Sequence, residues 1–123
     1  MTVTAMTLPI LAACAVVLSI SPVRAQSDEK CNDANSTAEI VQCLAGQTAI
    51  WDRRLNAAYQ TLMGDLPARR REQLRGAQRL WIQFRDANCG YFASGEGSIA
   101  RIEAAQCLYR MTSSRTLELE AGR

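Results

Sequence analysis

Cysteine is the reactive residue type that this chain places most distinctively. Cys14 lies inside an apolar N-terminal run, whereas Cys31, Cys43, Cys89 and Cys107 lie in the rest of the sequence. None of them has the Cys-x-x-Cys spacing of zinc sites or thioredoxin-like redox sites. The apolar N-terminal run has features of an export signal, and its removal would leave four cysteines. An even number of cysteines is typical of structural disulfides in small exported chains. We therefore expect the last four to pair, which leaves no thiolate among them for nucleophilic attack or metal binding.

Histidine is absent from the sequence. Its absence removes the commonest general base and metal ligand, together with Ser-His and Cys-His nucleophile pairs. The segment Gly95-Glu96-Gly97 follows no predicted strand and does not resemble a phosphate-binding loop. Two carboxylates could still approach each other as they do in glycosidases. We predict a non-enzymatic protein with no catalytic residue, no metal and no cofactor.

The first 25 residues have the layout of a secretory signal peptide. An apolar run from Leu8 to Ile20 precedes the small-residue pattern Val23-Arg24-Ala25, and cleavage is expected after Ala25. The 13 positions of this run fall short of the ~20 residues that span a bilayer. The segment Leu11–Cys14 also resembles a lipobox, so a lipoprotein modified at Cys14 is the alternative to a soluble product. We expect a periplasmic or secreted protein with no transmembrane anchor after cleavage.

The charge of the expected mature chain is close to neutral. Removing 25 of the 123 residues leaves 98, which is the size of one small domain. Of the 14 basic residues Arg24 leaves with the signal peptide, so 13 remain against 12 acidic residues. This balance does not indicate a nucleic-acid-binding protein.

Hydrophobic periodicity predicts three helices and no strand. Residues 26–35 form a polar N-terminal extension that a disulfide at Cys31 would hold, and residues 36–123 form the helical domain. Ser36 and Glu39 have the spacing of a capping box, in which the two side chains bond to backbone N–H groups. Apolar residues at three- and four-residue steps then predict a first helix from about Thr37 to Met63.

The segment 64–67 should separate the first two helices. Gly64 suits the position after a helix, Asp65 or Leu66 suits an N-cap, and Pro67 suits the first helical turn. The second helix is predicted to end near Ala93.

The segment Ser94–Ser98 breaks the periodicity, and Ser98 is the predicted N-cap of a third helix with Ile99, Ile102, Met111 and Leu117 on its apolar face. The predicted fold is all-α, a small antiparallel three-helix bundle cross-linked by two disulfides.

This layout favours one disulfide pairing. Cys89 and Cys107 lie nine residues on either side of Ser98, so they face each other across an antiparallel hairpin. The extension can fold back along the first helix and bring Cys31 to Cys43, about two turns into that helix. Four cysteines allow three connectivities, and the sequence leaves the other two open.

The second helix carries the densest group of polar and aromatic residues. Helical spacing places Gln78, Trp81, Arg85 and Asn88 on one face, with Phe84 beside it. One interpretation is a packed face in which Trp81 and Phe84 fill the core and Arg85 and Asp86 bond to neighbouring elements. The other is a recognition surface, because Trp and Arg are enriched at interface hot spots.

Two exposed segments are candidates for partner contact. Arg69-Arg70-Arg71 lies near a helix start, where it is either a solvated turn or a contact for an anionic lipid or glycan. The segment Ser94–Ser98 is either a plain interhelical turn or a probe that enters a partner's cleft. In the second case Ser94, Glu96 and Ser98 are the candidate partner-binding residues.

The second helix resembles the signature of a known family. The pattern Leu74-x-x-Ala77-Gln78-Arg79-x-Trp81-Ile82-x-Phe84-Arg85-Asp86-x-x-Cys89 is similar to that of the lysozyme inhibitor LprI N-terminal-like domains, long catalogued as a domain of unknown function. Asp52-x-x-Leu55-Asn56-x-x-Tyr59 is similar to the helix-one motif of that family. The resemblance extends from Cys31 to about Leu119. The chain departs from the family's frequent Gly-Gly-Ser by having Glu96 between Gly95 and Gly97.

The resemblance implies a small, exported, disulfide-linked helical protein of bacteria that inhibits lysozyme. Lysozymes are cationic and cleave through two carboxylates, so an inhibitor should present acidic or hydrogen-bonding groups such as those of Glu96 and Ser98. The alternative is a non-inhibitory module that binds an envelope protein or cell-wall glycan through its Arg and Trp surfaces.

Overall fold

The computed structural model describes residues 31–122 and consists of three helices in that range. Helix α1 spans Thr37–Asp65, α2 spans Ala68–Ala93 and α3 spans Gly97–Ala121. Two short connections reverse the chain direction, so α2 runs antiparallel to both other helices. The predicted all-α bundle is confirmed. The predicted signal peptide and residues 26–30 of the extension lie outside the described residues.

The start of α1 is fixed by the capping box that the sequence predicts. The Glu39 backbone N–H donates to Ser36 Oγ at 3.2 Å, and the Ser36 backbone N–H donates to Glu39 Oε2 at 3.0 Å. The Asn35 N–H donates to the same carboxylate oxygen at 2.9 Å. These bonds, that from Asn35 first, lower the pKa of Glu39, because they favour the ionised carboxylate.

The connection between α1 and α2 differs from the prediction. Helix α1 continues through Gly64 to Asp65, so placing Gly64 after the helix was wrong. Leu66 is extended, as expected of a residue that precedes proline, and it is the C-cap of α1 rather than the N-cap of α2. The N-cap of α2 is Pro67, which is also extended and makes no side-chain capping bond.

The start of α3 also lies two residues earlier than an N-cap at Ser98 requires. Glu96 is the N-cap, and Gly97 is the first residue of the helix. Gly97 has a φ of 77°, a conformation that glycine adopts without the steric cost of a Cβ atom. Ser98 therefore lies in the first turn, and its predicted capping role was wrong.

The core is built around α3, which packs against both other helices and most extensively against α1. One cluster joins Leu55, Ala58 and Leu62 of α1 to Leu119 of α3, and Leu74 and Trp81 of α2 pack against it. A second cluster contains Cys31, Leu44 and Tyr109. The two clusters lie at opposite ends of the α1–α3 interface and fix these parallel helices against each other.

Small residues line the interface between α1 and α3. Thr112 and Thr116 are fully buried, and Thr116 Oγ1 donates to the Thr112 carbonyl at 2.8 Å and lies 3.4 Å from the Trp51 carbonyl. The predicted apolar face of α3 was partly wrong, because Ile99 is 62% exposed and Leu117 is also exposed. Close packing against α1 favours short side chains here, so a count of large apolar residues misplaces the buried face.

The predicted disulfide pairing is confirmed. Cys31 bonds to Cys43 with a Cα–Cα distance of 5.8 Å, and Cys89 bonds to Cys107 with a Cα–Cα distance of 5.4 Å. The first disulfide holds the extension against α1, and the second joins α2 to α3 close to their connecting loop.

Candidate functional site

The loop between α2 and α3 projects polar side chains at one end of the bundle. Ser94, Glu96 and Ser98, the three residues predicted to contact a partner, are all exposed. Ser94 Oγ donates to the Tyr91 carbonyl at 2.7 Å, so its hydroxyl closes the end of α2. The Glu96 carboxylate has no hydrogen bond or ion pair with any described residue, and its side chain makes no capping bond. This carboxylate is therefore available to a partner.

Glycines and a disulfide give this loop its shape. A Cβ atom on Gly95 would lie 3.2 Å from the Ala100 Cβ, so the loop passes close to the first turn of α3. Gly97 supplies the positive φ that starts α3. The Cys89–Cys107 disulfide lies below the loop and joins the two helices that carry it. This cross-link, nine residues from Ser98 on either side, fixes the spacing of the two helices that carry the loop.

Large apolar side chains surround the loop. Tyr91 is 73% exposed and Ile99 is 62% exposed, one on each side of the turn. The Tyr91 ring meets the Phe92 ring edge to face, with centroids 5.5 Å apart. The loop end thus combines one unpaired carboxylate with exposed aromatic and aliphatic surface, as protein interfaces often do.

The signature residues of α2 do not all lie in one environment. Gln78 is buried, Trp81 and Arg85 are half-buried, and the others, Arg79, Phe84 and Asp86, are exposed. Phe84 is 61% exposed, so the interpretation that it fills the core was wrong. It points to the outer side of α2, where Leu80 and Tyr91 are exposed too.

Arg85 connects the signature helix to α1. Its guanidinium lies 5.2 Å from the centre of the Trp81 ring, within the range of a cation–π contact. Its Nη2 donates to Asp86 Oδ1 at 2.8 Å, and its Nη1 lies 3.9 Å from Asp52 Oδ1 on α1. The packing interpretation therefore holds for Trp81 and Arg85, whereas Asp86 bonds to Arg85 of its own helix and not to a neighbouring element.

Gln78 connects the same helix to α3. Its Oε1 accepts a hydrogen bond from Arg115 Nε at 3.0 Å, and Arg115 Nη1 donates to Glu118 at 2.9 Å. Because Gln78 is buried, this bond satisfies a polar group that would otherwise destabilise the interface.

An open groove lies between α1 and α2, and we call it the α1–α2 groove. Its volume is about 320 Å³. The residues that line it come from one face of each helix: Asp52, Leu55, Asn56, Tyr59 and Gln60 from α1, and Arg75, Gln78, Arg79, Trp81, Ile82 and Arg85 from α2. Sequence reasoning recognised both motifs but did not bring them together. The common spacing of three and four residues in the two motifs was the signal that each forms one helix face.

Arg75 enters this groove from the α2 side. It donates a hydrogen bond to Glu72 and forms an ion pair with it. This bond is the main cause that raises the pKa of Arg75, and Tyr59 on α1 raises it further. Arg79 makes no hydrogen bond or ion pair with any described residue. The groove therefore has a cationic wall on α2 and a mainly neutral, hydrogen-bonding wall on α1.

Other functional features are lacking in the part of the chain that the structure describes. Residues 31–122 contain no group of three or more side chains that could hold a metal ion. No helix in this range is both long and apolar enough to cross a membrane. The four cysteines of this range are all in disulfides, so none of them is a free thiolate.

Comparison with known proteins identifies the family. The family described as lysozyme inhibitor LprI matches residues 27–119. The chain belongs to this LprI family. An uncharacterized protein of Rhizobium meliloti (strain 1021) is 32% identical over 117 residues, which covers 81% of this chain and 84% of the relative. No solved structure matches significantly.

Membership of the LprI family agrees with the resemblance carried by the two helix motifs. Nine residues of these motifs line the α1–α2 groove: Asp52, Leu55, Asn56, Tyr59, Gln78, Arg79, Trp81, Ile82 and Arg85. The description of the family names inhibition of lysozyme. In this chain the α2–α3 loop and the α1–α2 groove are the two candidate surfaces for a function.

Proposed function

We propose that this protein is an exported inhibitor that blocks the cleft of a lysozyme with its α2–α3 loop. The family supplies lysozyme as the class of target. The unpaired Glu96 carboxylate at the end of the bundle is the observation that supports the loop as the contact surface. The protein acts in this proposal by binding and not by catalysis.

The chemistry of the loop suits a lysozyme cleft in three respects. An exposed carboxylate is attracted to a cationic enzyme, and this attraction mainly increases the association rate. Ser98 adds a hydroxyl within two residues of Glu96. Tyr91 and Ile99 can then pack against the rim of the cleft, since both are largely exposed.

The scaffold lowers the entropic cost of such binding. The Cys89–Cys107 disulfide and the close approach of Gly95 to Ala100 restrict the loop before any partner arrives. A loop that is already ordered loses less conformational freedom on binding than a flexible one does. Reduction of the disulfides should therefore weaken inhibition.

The test is a lysis assay with purified, oxidised residues 26–123. The protein is titrated against a c-type lysozyme that is clearing a suspension of bacterial cell walls. We expect dose-dependent loss of lysis, and we expect Glu96→Gln to weaken it about tenfold or more, as loss of a charged hydrogen bond does. Glu103→Gln is the matched control, because it removes an exposed carboxylate of α3 outside the loop.

Two results would contradict this proposal in different ways. Absence of inhibition at a large molar excess of folded protein would exclude that lysozyme class as the target. If Glu96→Gln and Ser98→Ala inhibit as well as the unaltered protein, the protein is still an inhibitor, but the loop is not its contact surface.

Export is the second part of the proposal. Two disulfides suit an oxidising compartment such as the periplasm or the extracellular space. Mass spectrometry of the protein recovered from the envelope and the medium should give an N-terminus at Gln26. A lipid-modified N-terminal Cys14 would instead establish the lipoprotein alternative.

A further inference from the structure

We propose that the α1–α2 groove is a second binding site, and that its ligand is an amino-sugar glycan carrying a carboxylate. This is the chemistry of N-acetylmuramyl units in bacterial cell walls. The groove is separate from the α2–α3 loop, since Ser94 lies about 14 Å further along α2 than Arg85 at 1.5 Å per residue. The inference does not rest on the inhibition of lysozyme.

The charge of the groove favours an anion. Three arginines line it, Arg75, Arg79 and Arg85, against the single carboxylate of Asp52. Asp52 is 3.9 Å from Arg85, and Arg75 is paired with Glu72 outside the groove lining. Arg79 keeps its full set of donors, and a guanidinium binds a carboxylate through two parallel hydrogen bonds.

The remaining lining favours a sugar over a small inorganic anion. Asn56 and Gln60 offer amide groups that can donate and accept, as the hydroxyl and acetamido groups of an amino sugar require. Trp81 and Tyr59 provide aromatic surface beside them. Ligand sites typically combine such apolar surface with a few placed polar groups, and 320 Å³ falls at the lower end of their usual volumes.

Packing accounts for only part of this arrangement. The contacts of Arg85 with Trp81 and Asp52 hold α2 near α1, and Leu74 and Trp81 pack on the core. Arg79, Asn56 and Gln60 make no hydrogen bond or ion pair with described residues, so the fold does not require their polar groups. They line one groove from opposite sides, which is the arrangement that a ligand between the helices would use.

The other cavity is a weaker candidate. Its volume is about 380 Å³, and it lies between the extension, α1 and α3. Cys31 and Asn32, at the start of the described residues, form part of its lining. Arg110 is the single arginine in that lining, whereas three arginines line the α1–α2 groove, so the groove is the better site for an anion.

Two disaccharides that differ in one group provide the test. The protein is expressed from its full-length sequence and purified with both disulfides formed. N-acetylglucosaminyl-N-acetylmuramic acid is titrated by calorimetry and by tryptophan fluorescence, in parallel with di-N-acetylchitobiose, which lacks the lactyl carboxylate. We expect the acidic disaccharide to bind at least about tenfold more tightly, because a charged hydrogen bond is worth more than one factor of ten.

Substitutions then assign the preference to the groove. Arg79→Gln should abolish the difference between the two disaccharides and leave the helical content unchanged. Arg101→Gln removes an exposed arginine of α3 outside the groove and should leave both affinities unchanged. Glu96→Gln should also leave both disaccharide affinities unchanged. Failure of the groove proposal can therefore be distinguished from failure of the lysozyme proposal.

Three results would overturn the assignment. Absence of binding of the acidic disaccharide at millimolar concentration would exclude the ligand class. Equal binding of both disaccharides, or an unaltered preference in Arg79→Gln, would exclude the groove arginine as the carboxylate contact. Binding of lactate as tight as that of the acidic disaccharide would leave an anion site without sugar recognition.

Discussion

Replacing the Cys89–Cys107 disulfide by two alanines should destabilise the protein by about 3 kcal/mol. The two cysteines are 18 residues apart, and the entropy of closing a loop of that length in the unfolded chain corresponds to ~3.2 kcal/mol at 25 °C. Cys31 and Cys43 are 12 residues apart, which gives ~2.8 kcal/mol for the other disulfide. Either loss is a large part of a typical domain's free energy of unfolding, which is about 5–15 kcal/mol.

Urea unfolding followed by circular dichroism measures both losses. The two double variants should show similar decreases in the free energy of unfolding, but they should differ in the lysis assay. Only Cys89→Ala/Cys107→Ala removes the cross-link below the α2–α3 loop, so only that variant should lose inhibition under conditions where both are folded. A decrease below about 1 kcal/mol would refute the loop-closure argument. Equal inhibition by both variants would show that the disulfide does not order the loop.

Three further predictions concern the helices. Leu55→Ala should lower the free energy of unfolding by about 2–4 kcal/mol because it opens the core, whereas Phe84→Ala should cost less than about 0.5 kcal/mol in the same urea titration. Gly97→Ala should destabilise the protein by about 1 kcal/mol, because Gly97 has a positive φ. Gly46→Ala should stabilise it by about 0.5–1 kcal/mol, because Gly46 lies within α1 and an added Cβ would meet open space. Thermal unfolding measures both changes. Glu39 has a lowered pKa in the folded state, so its carboxylate stabilises the protein above the ordinary glutamate pKa and loses this contribution as pH falls through the lowered value. Glu39→Gln should therefore flatten stability against pH in this acidic range, and an unchanged profile would contradict the capping role.

The parts of the fold that the sequence predicts well are local or symmetrical. Ser36 and Glu39 form their capping box within one turn, so no tertiary information is needed. The pairing of Cys89 with Cys107 follows from their equal distances to the turn, because opposite positions of an antiparallel hairpin face each other.

The parts that it misses depend on which neighbour each helix face meets. Gln78 and Arg85 share one face of α2, yet Gln78 bonds to Arg115 of α3 and Arg85 approaches Asp52 of α1. Periodicity finds a face but does not say which helix covers it. Phe84 was misplaced for the same reason. It lies on the outer side of α2, which no other described helix covers, so it stays exposed.

The α1–α2 groove was missed because it exists only when two motifs meet. Asn56 and Arg79 are polar surface residues by any local measure, and neither predicts a site by itself. They line one groove because α1 and α2 both pack on α3 more extensively than on each other. The strong α1–α3 interface, built on Thr112 and Thr116, thus leaves room between the other two helices.

The Cys89–Cys107 disulfide also determines what a protease could do to this protein. The most exposed connection is the loop Ser94–Ser98, and it lies between the two bonded cysteines. A single cut there would leave one covalently joined molecule, whose two pieces separate on a gel only after reduction. The helices on both sides would stay in contact, so a nicked molecule would keep its core and could keep the α1–α2 groove while losing the intact loop. Cleavage would then separate the two proposed binding surfaces chemically without dividing the protein.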